Sequence, residues 1–148
     1  MPQQDFEAQV SAWVTKTRAR MLAVRNESAQ RVVEVMQTPV GQGGNLPVDT
    51  GFMRASLTAS IGTGNFALKT NPNPDGKFSY DAGAVSLVIA KAKVEEPLEF
   101  VYTANYARMQ EYGSRGRDGR RFVALAASQW PRIVSEVSRE AQQRVEGS

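Results

Sequence analysis

The chain contains no cysteine and no histidine. Their absence removes thiolate and imidazole nucleophiles, the usual general base near neutral pH, and the usual zinc ligands. A cysteine-free chain suits a reducing cytosol, and equally a particle assembled there and later released. Long apolar runs are missing too: nothing approaches the stretch of about eighteen residues that spans a bilayer. The first residues, Met1-Pro2-Gln3-Gln4-Asp5, lack a basic segment followed by an apolar one, so neither a signal peptide nor a membrane anchor is expected. Charge of one sign is also scarce. With 18 basic and 15 acidic side chains the net charge is only +3, which by itself does not argue for nucleic acid.

What is present is ordinary globular material. The 148 residues, 41% apolar and 22% charged, are enough for one domain with its own core, expected to cover residues 1–148. Phe6, Val10, Trp13, Val14, Met21, Val24, Val32, Val35 and Met36 recur mostly at three or four residues, which predicts an amphipathic N-terminal helix within residues 1–38. The stripe weakens around Asn26-Glu27-Ser28, where a bend or break is expected, and Thr38-Pro39 ends the helix. Lys16, Arg18, Arg20, Arg25 and Arg31 face a single Glu27, a positive band that reads as a solvated face or as a surface for an acidic partner or DNA.

Residues 39–48 read as a linker. Gly41-Gln42-Gly43-Gly44-Asn45 is not a phosphate loop, because a helix precedes it and no Gly-Lys-Ser/Thr follows. Asp49 or Thr50 can cap a short helix, after which Leu57 to Ile61 alternates as a strand. Residues 62–83 hold no period and carry the turn-rich Asn71-Pro72-Asn73-Pro74-Asp75-Gly76, so a long loop is expected. Its aromatics Phe66, Phe78 and Tyr80 either dock on a neighbouring molecule or pack on the chain's own sheet. Val85 to Ala90 and Glu99 to Thr103 read as further strands, giving a small antiparallel sheet of three or four strands within residues 49–104.

A short helix from an Asn105 cap to a Gly113 stop is expected over 105–113. Residues 114–121 then place Arg115, Arg117, Arg120 and Arg121 around one aspartate and two glycines: a mobile basic loop that is solvated, an interface, or a phosphate contact. Phe122, Leu125, Ala126, Trp130, Ile133, Val134, Val137, Ala141 and Val145 predict a C-terminal helix over 122–146 packed on one face of the sheet, kinked or restarted at Pro131. The fold class expected is α+β.

The order of these blocks carries a resemblance. Pro47-Val48-Asp49-Thr50-Gly51 with Arg54-Ala55-Ser56-Leu57, then Tyr106-Ala107 with Glu111-Tyr112-Gly113-Ser114, then a basic loop, Arg121-Phe122 and a terminal helix, resembles the tail-component family of long-tailed bacteriophages. The family blocks read approximately "P-V-D-T-G-x-L-R-x-S-I", "Y-A-x-x-x-E-F-G-T" and "R-P-F-L-x-P-A". The likeness covers about two thirds of the chain, from Pro47 onward, and the leading helix by position. Met53 stands for the usual leucine, Tyr112 for phenylalanine, and Arg121 where the family prefers proline.

The resemblance implies a non-enzymatic virion protein, related in role to the lambda minor tail protein Z. It implies a neck or tail-completion subunit at the head–tail junction that is assembled in the host cytoplasm and forms a homo-oligomeric ring, with a hexamer as one candidate size. Head connector or stopper proteins above, tail terminator or tube proteins below, and passing genomic DNA are the implied partners. No catalytic residue, metal or cofactor is implied, and no membrane. Asp49, Thr50, Gly51, Arg54, Tyr106, Glu111, Tyr112 and Gly113 are then structural motif residues, with Glu111 expected to pair with Arg54 or with an arginine from the 115–121 loop of a neighbouring subunit. Arg115, Arg117, Arg120, Arg121, Phe66, Phe78 and Tyr80 are the candidates for an interface or a ring lumen.

Two other classes remain open at this point. A small basic nucleic-acid-binding module would use the same arginines as phosphate contacts. An enzyme would have to work with Asp49, Asp75, Asp81 and Glu111, whose spacing makes no paired-carboxylate or metal site.

Overall fold

The structure, a computed structural model, describes residues 2–146, with side chains from residue 5 to residue 145. It is α+β: two long helices, three short ones, and two small antiparallel sheets of two strands each.

Helix α1, Pro2–Gln37, is unbroken, so the expected interruption at Asn26 does not occur. Arg25 explains part of this, because its guanidinium reaches past Asn26 to the carbonyls of Ala92, Lys93 and Glu96 and braces that turn from outside. A short 3-10 turn, Val40–Gln42, follows. The expected flexible linker is in fact a tight loop. Leu46 donates its amide to Thr38, returns a carbonyl to Val40, and buries its side chain completely. Gly44 has to be glycine, since a Cβ there would stand 2.0 Å from the Thr38 carbonyl oxygen.

Helix α2, Phe52–Ala55, leads into strand β1, Leu57–Ile61, which pairs antiparallel with β2, Leu98–Tyr102, in the register Leu57↔Tyr102 to Ile61↔Leu98. Between them, residues expected as a third strand form helix α3, Ala82–Lys91. Asp81 caps it by accepting from the Ala84 amide at 3.0 Å, and Val85, Ile89 and Ala92 fall on one buried line at helical spacing. The apolar run from Val85 to Ala90 therefore reflects a mostly apolar helix, and the main sheet keeps two strands.

Helix α4, Ala107–Tyr112, precedes the hairpin of β3, Gly113–Ser114, and β4, Arg117–Asp118. Asn105 does not cap α4. It bonds instead to Lys69 and Thr70, tying the long loop to the end of β2. Helix α5, Phe122–Glu146, passes through Pro131 without restarting. Its longest contact is with α1, against which it runs antiparallel, and it meets the sheet through the edge-on pair of Phe122 and Tyr102.

Two apolar clusters hold this together. Ala29, Val33, Met36, Leu57, Val85, Ile89 and Ala126 join α1, β1, α3 and α5. Leu46, Phe52, Met53, Ala104, Ala107 and Phe122 join the loop after α1, α2, α4 and the start of α5. Tyr102 links the two, and burial pushes its phenol well above the usual tyrosine range while it donates to Gln37 Oε1 at 2.5 Å.

Candidate functional site

The basic segment is built around α4. Gly113 ends that helix with φ 92, a backbone open to glycine, and a Cβ on it would lie 2.3 Å from the Arg117 carbonyl oxygen. The strands then pair Gly113↔Asp118 and Ser114↔Arg117 across Arg115-Gly116, both at positive φ (50 and 80). Positive φ at both central residues is the signature of the tight turns whose twist matches a hairpin. The segment expected as a loop thus forms a hairpin whose tip presents Arg115 to solvent, with Arg117 and Arg120 exposed behind it. They border a concave surface of about 840 Å³ between the hairpin and α4, with Asp118 on the same rim.

The hairpin returns onto α4 through its backbone. Arg120 and Arg121 donate amides to the carbonyls of Gln110 and Glu111 at 2.7 and 3.2 Å. A Cβ on Gly119 would sit 2.1 Å from that Glu111 oxygen. The Glu111 carboxylate then turns to the next helix, accepting from the amides of Val123 (2.9 Å) and Ala124 (3.0 Å) at the start of α5. Glu111 is only 6% exposed, and within the chain the expected pairing with Arg54 is not made, since Arg54 bonds to Gln37 instead. The physical reason is that α5 opens on Arg120-Arg121-Phe122 with no acid in its first turn, so its positive end and free amides draw the nearest carboxylate. Arg121 has φ 53, a conformation that proline cannot adopt. Its guanidinium lies 5.2 Å from the centre of the exposed Tyr112 ring.

The first motif block is also architectural. Thr50, not Asp49, meets the short helix: its hydroxyl accepts from the Phe52 amide at 3.2 Å and from Asn71 Nδ2 at 3.3 Å. Asp49 is exposed. Gly51 has φ 84, and a Cβ there would stand 2.6 Å from the Phe78 carbonyl oxygen. Arg54 and Gln37 exchange bonds at 2.9 Å, each side chain donating to the other's carbonyl, and the Arg54 guanidinium lies over Tyr80.

Of the three loop aromatics, Phe78 packs edge-on against Phe52 at 5.2 Å and Tyr80 joins the first cluster. Both therefore pack within the chain, each partly buried. Phe66 is half-buried over Gly64. Tyr106 lies 6.3 Å from Phe52, its phenol pushed upward by burial.

Compared with protein-family models, with curated proteins and with solved structures, the chain matches none.

The three blocks, distant in sequence, converge on one locus. Thr50-Gly51-Phe52, Tyr106 and Phe122 surround the second cluster, and Glu111 fastens the hairpin to α5. What this locus offers chemically is a rigid mount for exposed arginines. Sequence reasoning missed the first turn of α5 as the destination of Glu111. It also missed Asp81, although an acid three residues before the Ala84 amide is a recognisable helix start.

Proposed function

We propose that this chain is a non-enzymatic structural subunit of a tailed-phage virion, assembling as a ring at the head–tail junction. The observation that carries the reading is the convergence of the three family-like blocks on a single mount, with their side chains spent on caps, close approaches and packing. Residues used in this way hold a surface in place. In the ring, the hairpin arginines Arg115, Arg117 and Arg120 face a neighbour or the lumen, where passing DNA meets a positive wall with only weak, salt-sensitive contact. Head connector or stopper proteins and tail terminator or tube proteins flank the ring.

The test is light scattering with size-exclusion chromatography across concentration and salt, with negative-stain microscopy of any large species and of mixtures with isolated tails. Closed rings, free or seated on tails, support the reading. A monomer or dimer that binds one DNA sequence tightly and ignores tails sinks it and favours a nucleic-acid-binding module.

A further inference from the structure

The arginines on the helical body are engaged by the chain itself. Arg18, Arg31 and Arg132 pair with carboxylates, and Arg25 and Arg54 donate to carbonyls. On α4 and the hairpin it is otherwise. Arg108, Arg115, Arg117 and Arg120 are all exposed, and none makes an ion pair among the described residues. The fold keeps them so. Residues 105–121 hold five arginines and two acids, and one of those acids, Glu111, is turned inward onto the amides of α5. Asp118 is left as the single acid on this surface. The fifth arginine, Arg121, lies over the Tyr112 ring. The other four line two adjoining hollows. Arg115, Arg117 and Arg120 border the one of about 840 Å³ beside the hairpin, and Arg108 borders a second of about 630 Å³. The hollows meet at Met109 and Gly113, which line both. A small anion in either hollow leaves the arginines of the other unmatched, whereas an extended polyanion lying across both meets all four.

The kind of polyanion follows from what the surface lacks. From Gly113 to Arg121 every residue is glycine, serine or charged, so the hairpin offers none of the apolar anchors that carry protein interfaces. A second copy does not supply the counter-charge either. Glu27, Glu95, Glu136 and Glu140 already hold arginines of their own chain, and Asp81, Glu96 and Glu99 already accept backbone amides. Among the described residues no three acids cluster closely enough to hold a metal ion. Every cation between residues 105 and 121 is an arginine, whose paired donors match the oxygens of a phosphate. Repeated along a surface, such donors match a phosphodiester backbone, to which binding is mainly electrostatic. The hairpin carries no aromatic ring on which unpaired bases could stack, and Tyr112 beside it already meets Arg121, so the backbone that fits is that of a duplex.

We propose that Arg108, Arg115, Arg117 and Arg120 form one track for the phosphate backbone of duplex DNA, which they hold without regard to base sequence. The track rests on the ring reading for its place, and there it lines the lumen instead of the subunit contact. Its chemistry is independent of that reading.

The experiment is fluorescence anisotropy of a short mixed-sequence duplex titrated with the full-length protein across a salt series. Four phosphate contacts at about −0.9 each give an expected slope of log K against log salt of about −3.6. Each of Arg108→Gln, Arg115→Gln, Arg117→Gln and Arg120→Gln should flatten that slope by about 0.9, and the three hairpin changes together by about 2.7. Arg20→Gln, an equal loss of charge at an exposed site on α1, should leave it unchanged. All these sites are exposed, and circular dichroism melts verify folding. A wild type that binds no duplex overturns the track, and so does a slope that the combined variant keeps. Preference for one base sequence, for a single strand or for a polyglutamate peptide overturns it equally. Size-exclusion chromatography and negative-stain microscopy of the same samples separate this proposal from the ring reading. Rings lost in the combined variant make the arginines a subunit contact, which overturns the track and leaves the ring standing. A wild type that neither closes rings nor seats on tails, yet shows the arginine-dependent slope, upholds the track and sinks the ring.

Discussion

Helices α3 and α5 both start at a carboxylate, but the carboxylates come from different places. Asp81 sits immediately before α3 and accepts from the Ala84 amide three residues on. Glu111 belongs to α4, lies twelve residues from Val123, and reaches the first turn of α5 across a whole hairpin. The first arrangement orders one turn. The second fixes three things at once, because the same residue offers its carbonyl to Arg121 and its carboxylate to α5. A local cap stabilises a helix, whereas a distant one sets the relation between elements, here the angle at which the arginine hairpin stands from the body.

Removing the distant cap should therefore cost most. Glu111→Ala leaves the Val123 and Ala124 amides without their acceptor in a part-buried setting, and hydrogen bonds to charged groups contribute about 1.5–3 kcal/mol each before non-additivity. The expected loss is about 3 kcal/mol in urea unfolding, with Glu111→Gln losing about half of that. A loss below about 1 kcal/mol for the alanine variant would mean that the cap is ornamental. Next comes Gly119→Ala, whose Cβ meets the Glu111 carbonyl oxygen at 2.1 Å, so the backbone has to move. Strain of this kind costs about 1–3 kcal/mol. Hydrogen exchange should localise it, with the Arg120 and Arg121 amides losing protection while α3 keeps its own. Asp81→Ala should cost about 1 kcal/mol, as loss of a local cap does, and its effect should stay within α3. Equal spread of the two effects across the molecule would dissolve the distinction between local and distant caps.

The same contrast explains what the sequence made legible. The stripes of α1 and α5 are long and periodic, and both helices stand where the spacing puts them. Leu57 to Ile61 stands as the expected strand, and it pairs with 98–102, one residue off the expected Glu99 to Thr103. Val85 to Ala90 misleads because a short apolar run serves a buried strand and an apolar helix equally, and only Asp81 with the Val85, Ile89 and Ala92 spacing separates them. The loop after α1 misleads through its glycines, one of which, Gly44, marks a close approach to Thr38 instead of freedom. Glu111 could be seen as important but not as a cap, since its donors come together only after the hairpin forms. A hint does exist: a helix preceded by two arginines and holding no acid in its first turn needs an acid from elsewhere.

Ser28 sharpens the comparison from the opposite side. Like Glu111 it is a buried polar residue, fully so at 0% exposed, yet its hydroxyl makes no hydrogen bond among the described residues. The Glu111 carboxylate has two donors and ties α4 to α5, while Ser28 occupies a place in the α1 stripe where only packing is asked of it. A buried polar group left unpaired costs free energy, and alanine is the better helix former. Ser28→Ala should therefore stabilise the fold by about 0.5 kcal/mol, net of the small volume lost, read as a higher urea midpoint at unchanged slope. A destabilisation of similar size would show that the hydroxyl has found an acceptor in solution, and Ser28 would then belong with Glu111 among the residues that tie the helices together.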